Sequence, residues 1–143
     1  MKCEYYLATV INAYRRAIDG ADVNECAEEL NNIAHREYTT AFALGENDAT
    51  VNYDDSQTKG ECDYIANVLD WRDGIVTVEM RNRFKTGDVL EVHSPSTAFK
   101  KQILVGEMRC QGETCNDAKL VQATYSFPCD IPLHNGDFLR RKK

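Results

Sequence analysis

The stretch Asn82-Arg83-Phe84-Lys85-Thr86-Gly87-Asp88-Val89-Leu90-Glu91 decides the fold of this chain. It joins two apolar-rich runs through a polar turn that ends in Gly87-Asp88. Glycine reaches the positive φ that a tight corner demands, and the short Asp side chain favours turns. A small closed β-barrel needs such a corner, and the stretch carries no catalytic group.

Working outward, runs of strand character occur at residues 63–69, 75–80, 89–93, 102–105, 120–125 and 138–140. Turn residues separate them: Asp73-Gly74, Gly87-Asp88, Ser94-Pro95, Gly112, Phe127-Pro128 and Gly136-Asp137. Val76, Val78 and Met80 alternate with Ile75, Thr77 and Glu79, which predicts one apolar face. About six strands at this spacing predict an antiparallel barrel closed on itself, which removes exposed edges. Residues 38–44 read as a further strand stopped by Gly45, followed by a long polar stretch over 46–61. A loop of that length in a compact domain is functional or mobile, and Tyr53 is its one aromatic residue.

Residues 4–19 read as an amphipathic helix with Tyr6, Val10, Ala13, Tyr14, Ala17 and Ile18 on its apolar face. Glu4 and Arg15-Arg16 suit the helix dipole, and Gly20 is a natural stop. Tyr5 and Tyr6 are large for a first turn, which suggests packing on more than one side. A second helix is expected over 23–36, capped by Asp22 with Glu25 as its capping-box partner. Cys26, Leu30, Ile33 and Ala34 form its apolar stripe. Glu25, Glu28, Glu29, Asn31 and Asn32 are expected to face water, and His35 and Arg36 to close the helix.

The 143 residues suffice for one domain with a real core. A net charge of −6 argues against a nonspecific nucleic-acid binder but leaves room for a local basic patch. Arg140-Arg141-Lys142-Lys143 is the one basic cluster and reads as a solvated tail. No apolar run approaches bilayer-spanning length and no signal peptide is recognisable, so a cytoplasmic location without a membrane partner is expected. The six cysteines are then expected as reduced thiols.

Chemistry-bearing constellations are weak. Cys110, Cys115, Cys129 and His134 could converge on a metal, but buried hydrophobes and loop thiols are the simpler reading, and no metal site is expected. A Cys62–His93 pair lacks any nucleophile-elbow signature. The glycines fall one per turn and compose no phosphate loop, and Asp54-Asp55 offers too few ligands for a calcium loop. Trp71, Phe84 and Phe99 are able to stack bases, but fit core-plugging positions better. Catalytic residues and cofactors are expected to be absent from this segment.

Four blocks carry a resemblance. Tyr5-Tyr6-Leu7-Ala8-Thr9-Val10-Ile11-Asn12-Ala13-Tyr14-Arg15-Arg16-Ala17-Ile18-Asp19 resembles a helix late in the bacterial collagenase-like peptidases, family thirty-two of the peptidases of unknown catalytic type. His35-Arg36-Glu37-Tyr38-Thr39-Thr40-Ala41-Phe42, the corner at 82–91, and Gly136-Asp137-Phe138-Leu139-Arg140 resemble three further blocks of that family. The resemblance implies an α+β, mainly β, C-terminal domain. A helical segment over 1–36 would pack on a small antiparallel β-barrel over 37–143, similar to domain two of translation factors. It also implies a fragment of a larger protein whose reaction centre lies in an upstream domain, so no catalytic residue carries over. Ala41 stands where the family often has glycine, and Ala34 where serine is common.

The branch with the Tyr5–Val10 pattern is similar to tRNA uridine 5-hydroxylation proteins. The implied function is a noncatalytic, lid-like accessory domain that assists tRNA binding for hydroxylation of the wobble uridine. Its partners would be the upstream catalytic domain of the same parent chain, and tRNA. Phe42, Tyr53, Trp71, Arg81, Arg83 and Lys85 are the expected contact residues, because aromatic and basic side chains interleave there. Core packing or solvated charge is the competing reading of each. Alternatives are a domain of a genuine collagenase-like protease and a purely structural domain.

Overall fold

A computed structural model of the chain describes residues 3–36, 38, 43, 45 and 59–143. Most of the strand expected at 38–44 and of the polar stretch after it, with Phe42 and Tyr53, lies outside the described residues.

Two helices lead: α1 (Glu4–Ile18) and α2 (Val23–Glu29), the latter continued by a 3-10 turn over Leu30–Asn32. Asp22 caps α2, its carboxylate accepting from the backbone N–H groups of Asn24 and Glu25. The helix stops well short of residue 36. Ile33 turns extended and buries itself with Tyr5 and Phe138 on the sheet. His35 then exchanges backbone hydrogen bonds with Lys59. At Gly60 an added Cβ would meet the backbone of Ala34 at 3.2 Å, so the chain entering the first strand lies directly against the helical segment.

The strands are β1 (Cys62–Arg72), β2 (Ile75–Met80), β3 (Phe84–Lys85), β4 (Val89–His93), β5 (Gln102–Leu104), β6 (Met108–Cys110), β7 (Glu113–Cys115), β8 (Asp117–Ala118), β9 (Thr124–Pro128) and β10 (Phe138–Lys142). Eight of them form one sheet in the order β5-β4-β10-β1-β2-β9-β6-β7, antiparallel at each pairing, and β3 pairs with β8 apart from it. The fold is thus α+β and mainly β, as the sequence predicts. The ladder runs from β5 to β7 without joining them, so the sheet curls into a half-barrel.

The curl has local causes. The long strand β1 carries register shifts between Tyr64 and Ala66 and between Val68 and Asp70. Such bulges bend a strand and raise its twist. At the first, Ile65 and Ala66 are both buried in succession, and the Ile65 carbonyl accepts from Arg81 N–H and Asn82 N–H. The bent sheet closes over one core that includes Val68, Val78, Phe84, Leu90, Met108, Phe127 and Leu139.

The corner at 82–91 does more than turn. Phe84 points into the core against the Tyr125 and Phe127 rings, and Phe84-Lys85 pair with Asp117-Ala118. Gly87, at φ +92°, then reverses the chain, donating to the Val105 carbonyl at 2.8 Å. The strand expected at 120–125 starts later: Leu120 and Val121 are exposed, Gln122 is left-handed, and β9 begins at Thr124. Phe127 and Pro128, expected as a turn, end that strand, with Phe127 in the core. The hairpin β6–β7 is missing from the sequence reading because its strands are short. Its turn places Gln111 and Gly112 both at positive φ, as two-residue hairpin loops favour.

Candidate functional site

Two polar regions stand out, one buried and one open. The buried one lies where the helices cover the outer face of β4, β10 and β1. Pleating sends Leu90, Val92 and Leu139 into the barrel core. Glu91, His93, Phe138 and Arg140 therefore face the other way, paired as Phe138 with His93 and Arg140 with Glu91. Helix α1 lays Tyr5, Thr9, Asn12 and Ala13 on this face, and α2 adds Cys26 and Glu29. These assignments correct the sequence reading. The buried stripe of α1 runs through Tyr5 and Thr9 rather than through Tyr14 and Ile18, which are exposed. Glu29 and Asn32, expected in water, are buried. Arg140, expected in a solvated tail, has no exposed surface at all.

Arg140 is the hub. Its Nε donates to Glu91 Oε1 at 2.8 Å, its Nη1 donates to Glu29 Oε1, and the same Nη1 lies 3.4 Å from the Tyr5 hydroxyl. Lys100 Nζ sits 3.5 Å from Glu29 Oε2, and His93 Nδ1 lies 3.7 Å from Glu29 Oε1. Two cations and two carboxylates balance, so the cluster is neutral when His93 is neutral. Burial keeps it so: desolvation, reinforced by the Arg140 charge, pulls the His93 imidazole down to about 4 against the opposing pull of Glu29. Burial alone would raise the Glu29 carboxyl, but the hydrogen bond and charge of Arg140 outweigh it and hold Glu29 below its ordinary value. The Tyr5 hydroxyl is pushed up to about 12 by burial, against the Arg140 charge.

This seam is built to hold, not to react. Cys62 donates its thiol to Asn32 Oδ1 at 3.3 Å, and burial pushes that thiol up. A thiol raised by burial and engaged by an amide oxygen is the opposite of an activated nucleophile. The thiols of Cys115 and Cys129 are likewise raised by burial. Among the described residues no group of three His, Cys, Asp or Glu is spaced to hold a metal ion.

The open region begins at the corner. Arg83, Phe84, Lys85, Asp88 and Arg141 line a surface hollow of about 380 Å³. Arg83 pairs with Asp117 through its Nε at 2.9 Å. That hydrogen bond, against a small cost of desolvation, draws the Asp117 carboxyl down to about 2. Lys119 flanks Asp117 at 3.5 Å. Arg141 Nη1 donates to Asp88 Oδ2 at 3.0 Å and lies 3.5 Å from the Arg83 carbonyl. Asp63 links Arg141 to Lys143, at 3.9 and 3.7 Å. Arg83, Lys85, Lys119, Arg141 and Lys143 thus outnumber Asp63, Asp88 and Asp117 along one strip of an otherwise acidic chain.

Of the residues singled out from sequence, Arg83 and Lys85 meet in this hollow. Trp71 does not join them: it packs on the core and donates its indole N–H to the Cys129 carbonyl at 2.8 Å. Arg81 lies half-buried beside Glu79, at 3.4 Å, and beside Tyr64 under α1. Sequence reasoning missed Arg141 and Lys119 as neighbours of Arg83, and missed the Arg140 seam altogether. The signal for Arg141 was available in the period of two that separates it from Leu139 on an inward-facing row.

An antiparallel half-barrel sealed by a corner phenylalanine, with a helical layer clamped to its outer face, defines a class of small β-rich modules. The chain belongs to peptidase family U32. Residues 60–140 match the Peptidase family U32 C-terminal domain, and residues 1–53 match Peptidase family U32. It is similar to the tRNA hydroxylation protein P1 of Bacillus subtilis (strain 168), with 34% identity over 158 residues, covering 100% of this chain and 36% of that protein. The chain therefore spans little more than a third of that relative's length. Two crystal structures of the C-terminal domain of a Geobacillus thermoleovorans protein assigned to the U32 peptidases share the fold. The selenomethionine variant gives a TM-score of 0.52 at 23% identity, over 55% of this chain and 99% of that one. The other gives 0.51 at 24%, over 56% and 91%. Among the described residues no helix is long and apolar enough to cross a membrane.

Proposed function

We propose that this segment is a noncatalytic accessory domain that helps a U32 protein hold tRNA while an upstream domain carries out hydroxylation. The target base implied by the sequence resemblance is the wobble uridine, and the setting is the cytoplasm. The observation that carries this reading is the convergence of Arg83, Lys85 and Arg141 on one concave strip, in a chain that is acidic overall. Cations gathered on one face neutralise phosphates locally while the rest of the surface repels them, which orients an RNA rather than merely attracting it. The similarity to a tRNA hydroxylation protein supports the choice of RNA. The seam around Arg140 supports the accessory role, since its guanidinium is taken up by Glu29 and Glu91 and its histidine is held neutral.

The test is a titration of the chain with unmodified tRNA across a range of salt. Binding that weakens log-linearly with salt is expected. No binding even at low salt rejects the RNA contact, and cleavage of gelatin by the isolated chain rejects the noncatalytic role in favour of a collagenase-like activity.

A further inference from the structure

Helix α1 is apolar on two sides. Its inner face is consumed by the sheet. On its outer face Leu7, Ile11, Tyr14 and Ile18 are 59%, 58%, 62% and 76% exposed, at the spacing i, i+4, i+7, i+11. That spacing sets them in one row along the helix, as in a packing seam. Beside the row, Ala13, Tyr14, Ala17, Val23, Cys26, Ala27 and Leu30 line an apolar groove of about 180 Å³ between α1 and α2, room for a large side chain or two. Val23 extends the exposed patch to 67% at its own position. A continuous exposed apolar patch of this kind marks an interaction surface.

We infer that the outer face of α1, with the α1–α2 groove, is the docking surface for the upstream portion of a U32 polypeptide. Two observations choose this occupant over others. The match to the Peptidase family U32 model covers residues 1–53, and so all of α1 and α2, whereas the match to the C-terminal domain begins only at residue 60. The helical layer thus groups with the family's other portion by sequence, while its inner face is fixed to the half-barrel. The solved C-terminal domains match only 55–56% of this chain, about the share that residues 60–140 make up, so the half-barrel fold occurs without this layer. The layer is a two-sided junction: charge-paired inward through Glu29 and Arg140, apolar outward. The occupant should present aliphatic or aromatic side chains, one of them filling the groove by Val23 and Leu30. The inference rests on the accessory reading only for the existence of an upstream portion, not for its RNA contact.

The experiment joins this chain to the upstream portion of the Bacillus subtilis relative, in trans and as a chimera replacing that protein's matched stretch. A photo-crosslinking residue stands at Ile11, with a control at Gln122. Crosslinks from position 11 to the upstream portion, and none from position 122, are expected. The Leu7→Lys/Ile11→Lys double variant should weaken the association in trans by about tenfold or more and leave the chain's own thermal midpoint unchanged, since neither side chain touches the core. Crosslinks between copies of this chain, absence of association in both formats, or equal binding by the double variant overturns the inference. Loss of tRNA binding with crosslinking intact would reject the RNA reading alone, and the converse would reject the docking face alone.

Discussion

Arg140, on the last strand, is buried without exposed surface against Glu29, on the second helix, 111 residues earlier in the chain. Glu91 on β4 takes the other edge of the guanidinium. One side chain on β10 thus ties the helical layer to β10 and its neighbour β4. A planar guanidinium suits this role because its fork of donors serves two carboxylates at once.

Removing Arg140 should be among the costliest single changes in the chain. Arg140→Met leaves Glu29 and Glu91 facing each other without their shared cation. Breaking a buried pair from one side costs about 3–5 kcal/mol. Urea denaturation should show that loss as a lower midpoint. The triple replacement Arg140→Met, Glu29→Leu, Glu91→Leu should recover much of it. A loss below about 1 kcal/mol for Arg140→Met would contradict the hub assignment.

His93 makes stability depend on pH. Its native value is about 4, below the ordinary 6.5. The unfolded chain takes up a proton as pH falls through 6.5, and the native chain does not until about 4. Protons therefore favour unfolding across that window, and stability falls as pH drops through it. The full effect is of order 3 kcal/mol. Arg140, Glu29 and Asp137 act on the imidazole, and the Tyr5 ring packs edge-on against it. Equilibrium unfolding of His93→Gln should give a flatter profile between pH 6.5 and 4 than the wild type. Parallel profiles would show that another group is responsible.

Gly87→Ala tests the corner. A Cβ there meets nothing within 4 Å, so its effect isolates the backbone cost of φ +92°. A left-handed alanine costs about 1–2 kcal/mol. Thermal or urea unfolding should register that loss, and an unchanged midpoint would show that the turn relaxes freely.

In the basic hollow, Arg83→Ala, Lys85→Ala and Arg141→Ala should each weaken tRNA binding and lower the salt slope by about 1. Trp71→Ala and Arg81→Ala should leave the slope unchanged, since neither side chain lies in the hollow. Asp117→Asn should strengthen binding, because it releases Arg83 from its ion pair. Equal effects from Trp71 and Arg83 would place the interface elsewhere.

The strand register of Ile75–Met80 and Val89–His93, the Asp22 cap and the Gly87 turn are written in neighbouring residues. Period-two alternation, a capping carboxylate and a left-handed glycine are each decided within a few positions. What the chain alone determined, then, is its β-rich class, its helical start and its sharp corner. The fate of Glu91, His93 and Arg140 was not local. The sequence reading left Arg140 in a solvated tail and His93 at a strand end, but a polar side chain is wet only until something covers it. Here α1 and α2 cover it, and that depends on pairings between residues as distant as 29 and 140. Likewise Arg83, Lys119 and Arg141 become neighbours only because the sheet curls. Tertiary structure decided which charges are buried and which converge, because desolvation and Coulomb energy act through space, whereas turn and strand preferences act along the chain.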